Sequence, residues 1–250
     1  DRLANILFSL RQTNSNTWMT IALSACRLWK KHNSKKVYDA LADLLKSVLQ
    51  ATIVLEIKSL RGSLIEQKFP EFARSVNELV LLPSQNPSDM ASAVIEIKKK
   101  FEVFRSENEL IGKGCAERLE NDQLENKKVK PLFCLHALNG VADGFQLSKM
   151  TVEHVAPVKP KDPKDWFGGD VDSHAEWHVR IGNFLPLKKE INSSVQNKDF
   201  ASKKKEYEKV NVTDFLEDSH ELNWRSQSDW TKDLVEKRGK LVAKRMEELL

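Results

Sequence analysis

Residues able to do chemistry gather in the second half of this 250-residue chain. Glu153 and His154 stand side by side in the run Val152-Glu153-His154-Val155-Ala156-Pro157. Asn183 follows in Gly182-Asn183-Phe184-Leu185-Pro186-Leu187, and Ile191-Asn192 sets a second asparagine nine residues beyond the first. Histidine ionises closest to neutral pH, so it suits the removal of a proton from water. Carboxylate and amide oxygens suit a hard divalent cation. Taken singly, none of these residues is diagnostic. Asn183 after a glycine fits a turn, Asn192 fits a helix N-cap, and Glu153 fits the solvated face of a strand. His174 and His178 have the i, i+4 spacing of a metal-binding pair, yet beside Trp177 they read better as substrate-lining or surface residues. His32, His136 and His220 have no partners in sequence and read as structural.

The elements that must position these residues differ between the two halves. Met150–Val155 reads as a strand, Pro157–Asp172 as a loop rich in Pro, Asp, Lys and Gly, and Trp177–Leu187 as strand-like around Gly182. Residues 188–209 are polar and helical in part, with seven lysines against four acids. An amphipathic helix from about Asp229, with Trp230, Leu234, Leu241 and Leu249 near one face, closes the chain. Before residue 130 the pattern is helix after helix. One should run through Trp18, Ile21, Ala22, Ala25, Leu28 and Trp29. Ser34 should cap a long one carrying Val37, Leu41, Leu44, Leu45 and Val48. Ser63 and Glu66 form a capping-box pattern before a helix that Pro70 should interrupt, and another helix should span Ser88 to about Phe104. The apolar run Lys130–Leu138 ends in the turn signal Asn139-Gly140. These shifts predict a helical region over residues 1–111 and a second domain over 112–250.

Composition narrows the function classes. The three cysteines are far apart and include no Cys-x-x-Cys pair, which argues against a cysteine zinc site and for reduced thiols in a cytoplasmic protein. No apolar run is long enough to span a bilayer, so a soluble chain is expected. Gly112-Lys113-Gly114 is too short for a phosphate-binding loop. Charged residues are 30% of the chain but the net charge is only +4, so any nucleic-acid surface must be local. The chain starts at Asp1, which reads as a fragment of a longer protein.

The ordered blocks around Glu153-His154, Asn183 and Asn192 resemble the HNH nuclease pattern. More closely, they resemble the C-terminal nuclease domain of the GmrSD-type restriction enzymes. The matching blocks are Glu153-His154-Val155-Ala156-Pro157, Gly182-Asn183-Phe184, Ile191-Asn192 and Asn197-Lys198-Asp199-Phe200, with a closing helix around Trp230, Arg238 and Leu241. The resemblance covers about residues 130–250 and departs from the family at Phe184, a common Leu position, and at Asn192, where many HNH enzymes have a metal-binding His. It implies an α+β protein: a mainly helical N-terminal region followed by a ββα-metal (HNH) nuclease core with flanking helices. It implies DNA cleavage in defence against phage, with His154 as general base. Glu153 and Asn192 would hold Mg²⁺ or Mn²⁺, which offsets charge on the scissile phosphate. Asn183 would hold the His154 imidazole in orientation. Arg180, Lys198, Lys203, Lys204 and Lys205 would meet DNA phosphates. A sensor or nucleotide-using domain of the same full-length protein is the implied partner. A single site implies nicking. An inactive DNA-binding module and a helical protein-interaction domain are the competing readings.

Overall fold

The computed structural model describes residues 2–83, 86–141, 147–169, 171–208 and 226–250. The chain divides into two compact units, Asp1–Lys113 together with Leu250, and Gly114–Leu249. His220 lies outside the described residues.

Five helices build the first unit: α1 (Arg2–Leu10), α2 (Met19–His32), α3 (Lys35–Ile57), α4 (Ser63–Leu81) and α5 (Pro87–Glu107). Helix α3 is apolar on several sides, from Val37 to Ile57, and is accordingly buried along its length. It packs against α1, α2 and α5, while α2 also packs on α4. The Ser34 hydroxyl accepts from the Val37 amide and caps α3, an interaction type that contributes about 1 kcal/mol. Phe69 and Phe72 of α4 meet Phe101 and Phe104 of α5 in tilted and edge-on contacts. Two local signals mislead here. Pro70 does not interrupt α4, because Phe69, Ala73 and Val76 bury one face across it; that packing outweighs the single backbone bond Pro removes. Ser63 does not cap α4 either: Gly62 holds the cap position, and no side chain satisfies the end. Pro87 starts α5 at its first turn, behind an Asn86 side chain that accepts from the Ser88 amide.

The second unit opens with α6 (Cys115–Asn121) and α7 (Asn126–His136), then a π turn at Ala137–Val141. Strand β1 (Met150–His154) pairs antiparallel with β2 (Phe184–Lys188), with Met150 opposite Lys188 and His154 opposite Phe184. Between them lies α8 (Val171–Trp177), and β2 runs straight into α9 (Lys189–Val195). Helices α10 (Phe200–Glu208) and α11 (Lys232–Leu249) are the remaining described α-helices.

The expected strand over 177–187 is shorter and begins later. Trp177 ends α8, a tight turn occupies Ile181–Asn183, and only Phe184 onward is extended. Gly182 explains the turn. A Cβ there would sit 1.9 Å from the Val235 carbonyl oxygen and 2.8 Å from the Gly239 amide nitrogen, so only glycine lets this backbone press against α11. Arg238, buried on α11, donates to the Gly182 carbonyl at 2.6 Å. The buried face of α11 is Leu234, Val235, Arg238, Gly239, Val242, Ala243 and Met246, turned from the expected Leu241 and Leu249 stripe. No described helix is long and apolar enough to cross a membrane.

Candidate active site

Strand β1 presents alternate residues to opposite faces, so neighbours Glu153 and His154 enter different environments. The His154 ring lies 4.6 Å from the ring of Phe184, its cross-strand partner, and 6.4 Å from the ring of His178. Its carbonyl accepts from Lys203 Nζ at 2.8 Å. No described residue hydrogen-bonds its ring nitrogens. Burial, then the His178 and Lys203 charges, push its pKa down to about 4, so the imidazole is neutral at pH 7 with a lone pair to offer. A substrate phosphate would act in the opposite direction and raise its basicity.

Asn183 is completely buried, and its amide group is saturated. Oδ1 accepts from the Ala156 amide at 2.8 Å and from Trp230 Nε1 at 2.9 Å. Nδ2 donates to the carbonyls of Ala156 at 2.9 Å and His178 at 2.8 Å. The expectation that Asn183 grips the His154 imidazole is therefore corrected. With all four positions engaged elsewhere, it fixes the backbone just after β1 and the turn that carries His178.

Asn192 is the fourth residue of α9, and Lys188 holds the cap position, so the amide is no N-cap. Its Nδ2 donates to Thr151 Oγ1 at 2.9 Å and to the Val152 carbonyl at 3.2 Å. These bonds staple α9 across β1 and leave Oδ1 without a hydrogen bond to any described residue.

Glu153 is 5% exposed, and its Oε1 accepts from Lys203 Nζ at 2.5 Å and from the Tyr207 hydroxyl at 3.3 Å. Burial pushes the Glu153 pKa up, opposed by Lys203 and Tyr207, and pushes the Lys203 pKa down, opposed by Glu153. The expected metal pair thus fits only by half. Asn192 has an oxygen to offer, whereas Oε1 of Glu153 is engaged by Lys203 and Tyr207, and no group of three His, Cys, Asp or Glu among the described residues could hold a metal.

The other expected residues separate. Lys203 is fully buried and cannot meet DNA, because it faces Glu153 in the interior. Lys204 donates to the Gln227 carbonyl at 3.2 Å. Lys198 and Lys205 are exposed and share a shallow depression with Ser202, Glu206 and Glu208. Arg180 lies in the link after α8, not on a strand. It pairs with Glu176 at 2.9 Å, donates to the Asn121 carbonyl and lies 5.8 Å over the Trp177 ring, so its half-buried guanidinium is engaged by neighbours within the unit. His174 and His178 do not converge as a metal pair. Their rings stack at 5.0 Å, His174 Nε2 meets the Pro157 carbonyl at 2.9 Å, and His178 Nδ1 meets the His174 carbonyl at 2.7 Å.

Tyr207 and the pairing role of Lys203 emerge only from the structure, although a signal for both exists in the sequence. Phe200, Lys203 and Tyr207 have i, i+3, i+7 spacing and form the buried face of α10. For the approach of His178 to His154, spacing offers no such signal.

Compared with known families, residues 115–245, just over half of the chain, match the model for the C-terminal domain of the GmrSD restriction endonucleases. No curated protein and no solved structure matches.

Proposed function

The chain belongs to the GmrSD restriction endonuclease C-terminal domain family, and from that premise we propose that it hydrolyses phosphodiester bonds of DNA with His154 as general base. One observation carries the assignment: the His154 imidazole is neutral, partly buried and not hydrogen-bonded at its ring nitrogens by any described residue, at the end of a strand whose backbone is fixed on both sides. Lys203 holds the His154 carbonyl and Asn183 holds Ala156, two residues on. A water activated by His154 would attack phosphorus and expel the 3′-oxygen. Lys198 and Lys205 are exposed cations of this unit suited to the DNA backbone.

The two strands and α9 carry the residues in the order an HNH core would require. A divalent cation, Mg²⁺ or Mn²⁺, would supply Lewis-acid stabilisation of the phosphate, and Asn192 Oδ1 is the oxygen placed to contribute to its binding. With one His154 and one Asn192, a single chain addresses one phosphate at a time, so nicking is the expected outcome. In the restriction enzyme this unit would act as effector for a sensor or nucleotide-using domain of the same protein.

The test is supercoiled plasmid incubated with the full chain and Mg²⁺ or Mn²⁺, beside His154→Ala. Open circle should accumulate before linear DNA, and the variant should lose about 10²–10⁴ in rate. Wild-type cleavage by a clean His154→Ala preparation would remove the base assignment. DNA binding without cleavage by the parent would favour the inactive binding module instead.

A further inference from the structure

Lysine is almost never fully buried unless paired, and Lys203 is 0% exposed. Its ammonium reaches two acceptors on adjacent residues of β1, the Glu153 carboxylate at 2.5 Å and the His154 carbonyl at 2.8 Å. Tyr207, one turn on along α10, adds a hydroxyl to the same carboxylate oxygen. Glu153 therefore has a counter-ion and a second donor inside the protein. A cation taken up by Glu153 would compete with the Lys203 ammonium for one buried carboxylate, and displacing that ammonium is the costly way to break a buried pair.

We infer that Lys203 is a positioning residue for His154, and that Glu153 is its internal counter-ion instead of a metal ligand. The inference rests on the reading of His154 as the base. A charge-assisted bond to the His154 carbonyl is stronger than a neutral one and holds the peptide that aims the imidazole. Misplacing a catalytic group by an ångström costs about 10²-fold in rate. The Lys203 charge also helps keep the His154 imidazole unprotonated.

The experiment compares the full chain with Glu153→Gln, Lys203→Met, their combination, and Lys203→Arg. Stability is read by urea unfolding, Mn²⁺ binding by electron paramagnetic resonance, DNA affinity by fluorescence anisotropy, and chemistry by single-turnover nicking at saturating DNA. The combined variant should lose less stability than the two single losses added together, since removing both partners leaves no orphaned charge. Lys203→Met should lose about 10²-fold in rate with DNA affinity unchanged, and Lys203→Arg should recover part of that loss. Mn²⁺ affinity should be the same for Glu153→Gln and parent. Strictly additive stability losses, Mn²⁺ binding weakened about tenfold in Glu153→Gln, or a Lys203→Met defect confined to DNA affinity would each overturn the inference. A parent that does not cleave would remove the nuclease reading alone, because the urea cycle still reports whether Glu153 and Lys203 are coupled.

Discussion

Acid should destabilise the second unit in a way traceable to His154. Burial first, then the charges of His178 and Lys203, lower its pKa from 6.5 to about 4 in the folded chain. Between those values the unfolded chain binds the proton and the folded chain does not. Stability from this residue is therefore fully present above the unfolded pKa and is lost as pH falls through the folded one. At about 1.4 kcal/mol per pKa unit, the loss amounts to about 2 kcal/mol by pH 5 and about 3 kcal/mol by pH 4, flattening below. Other ionisable groups lie nearby, among them Glu153 and Lys203, so the measurement is a difference. Urea unfolding of the parent and of His154→Gln is followed from pH 7.5 to 3.5, and one curve is subtracted from the other. The two stabilities should converge, or cross, by about 3 kcal/mol on acidification. A difference that stays constant with pH would refute the reasoning and show that His154 is as well hydrated folded as unfolded.

The remaining expectations address the elements around it. Asn192→Ala removes both the staple to β1 and the open oxygen, so the Mn²⁺ concentration for half-maximal nicking should rise; superimposable titrations would reduce Asn192 to a helix anchor. Replacing Lys198 and Lys205 with Ala should weaken DNA binding and flatten its salt dependence by about 0.9 in log–log slope for each phosphate left unneutralised, whereas an unchanged slope would leave both as solvated lysines. Gly182→Ala should destabilise the fold by about 3 kcal/mol or more, since its Cβ would strike the backbone of α11; a melting temperature equal to the parent's would mean that α11 can move aside.

The sequence made most of the elements legible and some of their relations. Apolar periodicity located α2 and α3, and the Ser34 cap formed where its residue type pointed. Met150–His154 was recognisable as a strand because its alternation is short and bounded. What failed depended on contacts distant in sequence. The Gly182 turn is imposed by α11, more than fifty residues downstream in the chain, and no local propensity records that collision. Lys203 reads as an outward, DNA-facing lysine because it sits in a run of three lysines; only the helical phase set by Phe200 and Tyr207 turns it inward. Asn183 was recognisable as a supporting residue, but what it supports lies in Ala156, His178 and Trp230, which spacing alone does not join.

That last junction has a consequence for the order in which the protein is made. Asn183 closes its set of bonds with the indole of Trp230, 47 residues later, and the adjoining Gly182 carbonyl waits for Arg238. A nascent chain that has exposed β1, β2 and α9 but not yet Trp230 has His154 at the end of β1 beside a turn whose buried Asn183 amide lacks one of its donors. The segment that bears the histidine is completed only after Trp230 and the first turns of α11 have emerged from the ribosome.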